Sequence, residues 1–137
     1  MTDEEFLTRL EACTLPQSEF GHAAHVRAAY LYLKAAEFPA ALERTRRAIR
    51  NFATHWGKPE RYHETMTVAY LALIQEHLAE LGDGGWSAFE RNNPELFDPA
   101  LLLRYYPKAQ LASDLARRVF VLPKAAPAAV QRAPGGT

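Results

Sequence analysis

The strongest constraint on the fold is the placement of helix start and stop signals along the chain. Thr2 and Glu5 stand at the spacing of a capping box, which marks a helix start. Pro39 occupies a favoured first-turn position, and Gly57 and Gly82 occupy favoured positions just after a helix end. Between these signals the apolar residues recur every three or four positions, and no segment combines strand-like alternation with hairpin turns. The sequence therefore predicts an all-α fold.

The predicted helices are four longer segments followed by shorter ones. The longer segments are residues 3–13, 22–36, 39–56 and a fourth that begins at Pro59 or Tyr62 and ends at Leu81. Shorter helices are predicted at 87–92, directly after Asp98-Pro99, and at 109–120. Short connections favour an irregular helical bundle of four longer helices plus two or three short C-terminal helices. We assign one domain, residues 1–123, and a disordered tail rich in Ala, Pro and Gly, residues 124–137.

Charge and cysteine content exclude several classes of protein. The 16 basic residues balance 16 acidic ones, so the basic excess of a nucleic-acid binder or a charge-held membrane protein is missing. The single cysteine, Cys13, excludes an intrachain disulfide and a thiolate metal cluster. The acidic N-terminal residues do not resemble a secretory signal, and no apolar run approaches the roughly 20 residues of a membrane span. We expect a cytoplasmic protein without nucleic-acid or membrane partners.

Three histidines carry the main functional signal. His22 and His25 open the second predicted helix three residues apart, which places both on one side of that helix. His63 shares a stripe of the fourth predicted helix with Ile74, a core position. If the second and fourth helices pack together, the three imidazoles converge near one end of the bundle. The sequence thus predicts a buried, histidine-lined polar pocket that takes a small-molecule ligand.

The pocket has three interpretations. Three neutral imidazoles can hold a divalent transition metal such as Zn, Fe, Ni or Cu with a position open for substrate, which would make the protein a metal-dependent enzyme. Glu64 or Asp114 could then fix the orientation of an imidazole. A metal-free pocket would instead use a histidine as acid or base. In the third interpretation the histidines only satisfy helix ends and core hydrogen bonds.

Hydroxyl and charged residues near the histidines are the candidate substrate-binding groups. Thr67 and Tyr70 put hydroxyls on the stripe that carries His63. Arg27 follows the first histidine pair, and Arg117 lies in the segment 113–118; an arginine can hold an anionic group of a substrate. Asp114 either joins this site or forms a local ion pair with a neighbouring arginine.

A non-enzymatic helical interaction module with structural histidines is the alternative function. Its working surface would be a basic face of the third predicted helix, where it could dock an acidic partner. The residues of this face are Arg44, Arg46, Arg47 and Arg50.

Three segments of the chain resemble a family of small bacterial helical proteins. They are residues 20–30, 62–67 and 113–123, which read FxHxxHVRxAY, YHxTxT and SDxARRxFVxP. The resemblance does not assign an activity or a cofactor to this chain. It supports the choice of His22, His25, His63 and the segment 113–118 as the candidate site.

Overall fold

The computed structural model describes residues 1–81 and 84–124, and these form helices and connecting turns without any strand. The α-helices are α1 (Asp3–Glu11), α2 (His22–Ala35), α3 (Phe38–His55), α4 (Glu64–Leu81), α5 (Trp86–Asn92), α6 (Lys108–Leu111) and α7 (Asp114–Arg118). Single 3₁₀ turns lie at Gln17–Glu19, Pro59–Arg61, Pro94–Phe97 and Leu101–Arg104. The predicted all-α fold is confirmed. Within the described ranges, no helix has the length and apolar character needed to cross a bilayer.

The helix ends follow from local side-chain chemistry. The Oγ1 atom of Thr2 accepts a hydrogen bond from the Glu5 amide at 3.1 Å, and Glu5 Oε1 accepts one from the Thr2 amide at 2.8 Å, which completes the predicted capping box. Gly57 follows α3 with a φ of 75°, a conformation that glycine adopts without steric cost. The fourth helix begins later than its earliest predicted start because Pro59–Arg61 forms a separate 3₁₀ turn.

The bundle is built around α2, which packs against both α3 and α4. The contact between the second and fourth helices, on which the histidine prediction depends, is therefore present. α3 also packs against α4, and α1 packs against α3. One apolar cluster fills the space among α1, α2 and α3, and its fully buried members are Leu10, Leu15, Ala28 and Ala41. A second cluster lies where α2 meets α4 and the segments that follow it, around Val26 and Ile74.

α4 is buried on more than one side. Ile74, placed on the inner stripe by its spacing, is fully buried as predicted, but Leu71 is equally buried and lies outside that stripe. The reason is that α2 and α3 cover one side of α4 while α7 and the 3₁₀ turn Leu101–Arg104 cover another. A helix covered in this way has no single apolar face for the spacing to reveal. The Leu81 side chain lies outside the part that the structure describes.

The C-terminal segment differs from its prediction. The single helix expected at 109–120 is wrong, because the chain forms α6 and α7 with a break at Ser113. Ser113 Oγ caps α7 by accepting a hydrogen bond from the Ala116 amide at 3.1 Å. An extended segment then runs along α4, where Thr65 Oγ1 donates to the Val119 carbonyl at 2.9 Å and accepts from the Val121 amide at 3.2 Å. Apart from Lys124, the predicted tail lies outside the described residues.

Candidate functional site

A cavity of about 270 Å³ lies between α2, α3 and the beginning of α4. It forms where α2 faces both of the other helices and small side chains leave space among them. The three predicted histidines and both predicted hydroxyl residues line it together. The apolar walls are Val26, Ala29, Ile49, Met66 and Ile74, and the polar lining residues are His22, His25, Thr45, Arg61, His63, Thr67 and Tyr70. The structure thus brings together five of the eight predicted site residues.

His25 is held as a neutral imidazole with a defined tautomer. Its Nδ1 lies 2.8 Å from the Gly21 carbonyl oxygen, and because a carbonyl can only accept, Nδ1 carries the hydrogen. The ring stacks on Phe20 with 3.9 Å between the ring centroids. Burial lowers the pKa of His25 below its ordinary 6.5, outweighing the hydrogen bond to Gly21, and the neighbouring His22 lowers it further. At neutral pH the Nε2 atom is therefore unprotonated.

The unprotonated Nε2 of His25 is not sealed inside the protein. It has no hydrogen-bond partner among the residues that the structure describes. Among these residues, Arg27 Nε is the one fully enclosed side-chain nitrogen or oxygen without a partner, so Nε2 of His25 keeps some accessible surface. The His25 ring lines this cavity and a smaller one that adjoins it. The lone pair can accept a hydrogen bond or a proton from a bound molecule.

His22 forms part of the wall next to His25. Its Nε2 donates a hydrogen bond to the Leu96 carbonyl at 3.0 Å, and its ring meets the Tyr70 ring edge to face at 5.1 Å between centroids. Its Nδ1 has no partner among the described residues. His22 is thus anchored to the turn Pro94–Phe97 through one nitrogen and leaves the other as a second acceptor near the cavity.

His63 uses both ring nitrogens in backbone hydrogen bonds. Nδ1 accepts from the Met66 amide at 3.1 Å, which makes His63 the N-terminal cap of α4. Nε2 donates to the Leu111 carbonyl at 2.8 Å and so ties α6 to the start of α4. The side chain lines the cavity, but neither nitrogen is left for a ligand. This arrangement fits the interpretation in which His63 satisfies a helix end.

The hydroxyl groups around the cavity donate hydrogen bonds to backbone carbonyls. Thr67 donates to the His63 carbonyl at 2.8 Å, and Tyr70 donates to the Asp98 carbonyl at 3.1 Å. Thr45 donates to the carbonyl of Ala41 at 2.8 Å. Burial, together with the nearby Asp98 carboxylate, raises the pKa of Tyr70 to about 12, so its phenol stays protonated. These hydroxyls can accept hydrogen bonds from a bound molecule but have no free hydrogen to donate.

The metal hypothesis requires the three histidines to present free nitrogen atoms to one metal ion. Among the described residues, no three or more His, Cys, Asp or Glu side chains are arranged to hold a metal ion. A three-histidine site would require His63 to give up one of its two backbone hydrogen bonds. Carbonyl groups, rather than Glu64 or Asp114, fix the tautomer of each imidazole. The metal site at His22, His25 and His63 remains a prediction.

Arg27 lies outside the cavity, contrary to its assignment as a substrate-binding residue. Its NH2 group donates to Asp3 at 2.6 Å, and its guanidinium lies 4.8 Å from the centre of the Phe6 ring. The physical reason is helical geometry: two positions after His25 corresponds to about 200° around α2, which turns the side chain toward α1.

Asp114 and Arg117, two further predicted substrate-binding residues, also lie away from the cavity. Asp114 is exposed and pairs with Arg118 at 2.6 Å, the local ion pair that their spacing allowed. Arg117 donates to the Glu60 carbonyl at 3.0 Å and thereby holds α7 against the turn Pro59–Arg61. Asp114 thus belongs to the outer surface of α7, whereas Arg117 lies at its contact with that turn.

The arginines of α3 are largely engaged within the molecule. Arg46 forms a two-pronged contact with Glu64 at 2.6 and 3.1 Å, and the Tyr62 hydroxyl donates to the same carboxylate at 2.6 Å. Burial opposes ionisation of Glu64, but these hydrogen bonds together lower its pKa. Arg47 pairs with Glu43 at 3.3 Å, and the Arg50 guanidinium lies 4.6 Å from the centre of the Tyr62 ring. The basic face of the interaction-module hypothesis is therefore partly neutralised.

Arg61 is the site residue that the sequence interpretation missed. It is exposed, it lines the cavity, and it also lines a smaller adjoining cavity of about 120 Å³ that His25 and Ile49 share. Lys58 lines that second cavity as well. Neither cation makes an ion pair or a hydrogen bond through its side chain with a described residue. In the sequence, the only indication that Arg61 lies at the site is its position directly before Tyr62 and His63.

Comparison with known proteins gives no match: no family model, no curated protein and no solved structure is similar to this chain.

Proposed function

We propose that this protein binds a small organic molecule in the cavity between α2, α3 and α4. The observation that carries the proposal is the unprotonated Nε2 of His25, which has no partner among the described residues and belongs to a ring that lines a mainly apolar cavity. A bound molecule with an O–H or N–H group would give this acceptor a hydrogen-bond partner. His25 is then the residue that orients the ligand.

The size and lining of the cavity support this proposal. Small-molecule sites are concave, mostly apolar, and fixed in orientation by a few polar groups, with volumes from roughly 300 Å³ upward. The cavity here, at about 270 Å³, lies just below that range and suits a small ligand. Val26, Ile49 and Ile74 supply apolar contact area, which favours a ring or a short branched chain over a fully polar solute.

The chemistry available to an enzyme at this site is proton removal by His25. A neutral imidazole with a lowered pKa can take a proton from a bound group and return it later. A hydrolytic mechanism through a nucleophile is disfavoured, because the hydroxyls of Thr45, Thr67 and Tyr70 donate to carbonyls rather than to a histidine. We therefore propose general-base chemistry by His25 as the catalytic form of this function.

A metal-dependent enzyme is the second candidate. The observation in its favour is that His22 Nδ1 and His25 Nε2 both lack partners among the described residues and lie at the same cavity. Two imidazoles could bind a metal together with water or substrate, while His63 stays in its capping role. Calorimetric titration with zinc, nickel and iron(II) tests this candidate.

The first test is binding of neutral aromatic probes, phenol and indole, measured by saturation-transfer NMR and by calorimetry. We expect both to bind with a dissociation constant of millimolar or below, equivalent to about 4 kcal/mol or more. Ala29→Phe adds a ring to the cavity wall and should abolish binding, since Ala29 lines the cavity and is buried. Ala35→Phe is the matched control, because it makes the same change at an exposed position of the same helix.

Two results would contradict the proposal. Absence of probe binding at concentrations of about 10 mM would show that the cavity does not accept small apolar molecules. Equal loss of binding in Ala29→Phe and Ala35→Phe would show that the probes bind elsewhere or that the substitutions act only through stability. Circular dichroism of both variants shows whether they are folded, and so distinguishes a loss of stability from probe binding at another place.

A further inference from the structure

The charges around the two adjoining cavities are all of one sign. Arg61 lines both cavities and Lys58 lines the smaller one, whereas no Asp or Glu side chain from the described residues lines either. Five other arginines of the described bundle, Arg27 and Arg46 among them, have carboxylate partners. Arg61 has none within the described chain, so its guanidinium is available to a ligand at the mouth.

The interior of the cavity offers the opposite chemistry. The hydroxyls around it already donate to backbone carbonyls, and the lone pair of His25 Nε2 faces the open space. These side chains thus offer hydrogen-bond acceptors to a ligand inside the cavity, and the cationic donors lie at the rim. A complementary ligand has an apolar body, an O–H or N–H group at its inner end, and an anionic group at its outer end.

We infer that the ligand of this cavity is a small organic acid, with its carboxylate at Arg61 and a hydroxyl or N–H group on His25. The inference rests on the proposed binding function and adds the ligand class to it. A guanidinium can hold either a carboxylate or a phosphate through two parallel hydrogen bonds. A carboxylate is favoured here because the sequence has no glycine-rich loop of the kind that cradles phosphates. The apolar walls formed by Val26, Ile49 and Ile74 surround the body of the ligand, and an aromatic ring offers them a rigid apolar surface, which favours an aromatic acid.

The test compares two probes of nearly the same shape, the anionic para-hydroxyphenylacetate and the neutral para-hydroxyphenylacetamide, by calorimetry with the full chain. We expect the acid to bind the wild type at least three-fold more tightly than the amide, with the difference decreasing as salt is added. Arg61→Gln should remove this preference and leave the amide affinity unchanged. Arg104→Gln is the matched control: Arg104 is also an exposed arginine in a 3₁₀ turn, but it does not line the cavity.

The outcomes separate the inference from the function on which it rests. If the amide binds as tightly as the acid to the wild type, the assignment of an organic acid is wrong, while the binding cavity itself stands. If Arg104→Gln reduces the preference as much as Arg61→Gln does, the effect is one of overall charge and the role of Arg61 is wrong. If neither probe binds, the proposed function fails together with the inference. The wild-type comparison needs no variant and decides the ligand class on its own.

Discussion

Replacement of His63 by alanine is the substitution whose cost can be worked out most directly from the structure. The change leaves the Met66 amide without its cap, which costs about 0.5–2 kcal/mol in comparable helix starts. It also leaves the Leu111 carbonyl unpaired in a buried position, which costs about 1–3 kcal/mol. Allowing for partial relaxation, we expect the free energy of unfolding to fall by about 2–4 kcal/mol.

The assay is urea denaturation followed by circular dichroism, with His63→Asn as the informative comparison. Asparagine is a good N-terminal cap and should retain the bond to Met66, but it is too short to keep the bond to Leu111. We therefore expect His63→Asn to recover part of the stability that His63→Ala loses. A loss below about 0.5 kcal/mol for His63→Ala would refute this reasoning, because it would mean that neither backbone bond contributes and that the imidazole is free for another role.

The remaining predictions concern the core, pH, metal and the chain end. Ile74→Ala should lower the free energy of unfolding by about 2–5 kcal/mol in urea denaturation, and a neutral result would show that the buried face of α4 is misassigned. Because burial lowers the pKa of His25 below 6.5, unfolding takes up a proton below that pH; stability should fall as pH falls below 6.5, and less steeply in His25→Phe. If a metal binds, calorimetry should show that His25→Ala weakens it and His55→Ala does not. If His63 is a ligand, contrary to its capping role, His63→Ala should abolish that binding as well. Removal of residues 125–137 should leave the thermal midpoint unchanged, and a drop of several degrees would mean that this segment packs on the bundle.

The sequence predicted the elements that depend on neighbouring residues. The capping box at Thr2, the start of α2 at His22 and the glycine after α3 involve contacts within a few positions, so residue type and spacing are enough to identify them. The grouping of His22 with His25 depends only on helical spacing, and their meeting with His63 depends on the packing of α2 against α4.

The roles of the histidines depend on contacts with distant parts of the chain, which helical spacing cannot predict. His22 bonds to Leu96 and His63 bonds to Leu111, which are 74 and 48 positions away, so the availability of each nitrogen is decided by tertiary contacts. Arg61 was missed for the same reason, since its place at the mouth comes from the turn Pro59–Arg61 rather than from a helix period.

His25 and His63 line the same cavity but have different roles, and one measurement can test this difference directly. The imidazole nitrogens of His25 and His63 can be followed by long-range proton–nitrogen NMR at neutral pH, with and without para-hydroxyphenylacetate. The account predicts that His25 carries its hydrogen on Nδ1 and that its Nε2 resonance shifts when the acid binds. His63 should carry its hydrogen on Nε2 and stay unchanged. A doubly protonated His25, or a ligand that shifts the nitrogens of His63 and not those of His25, would contradict the account.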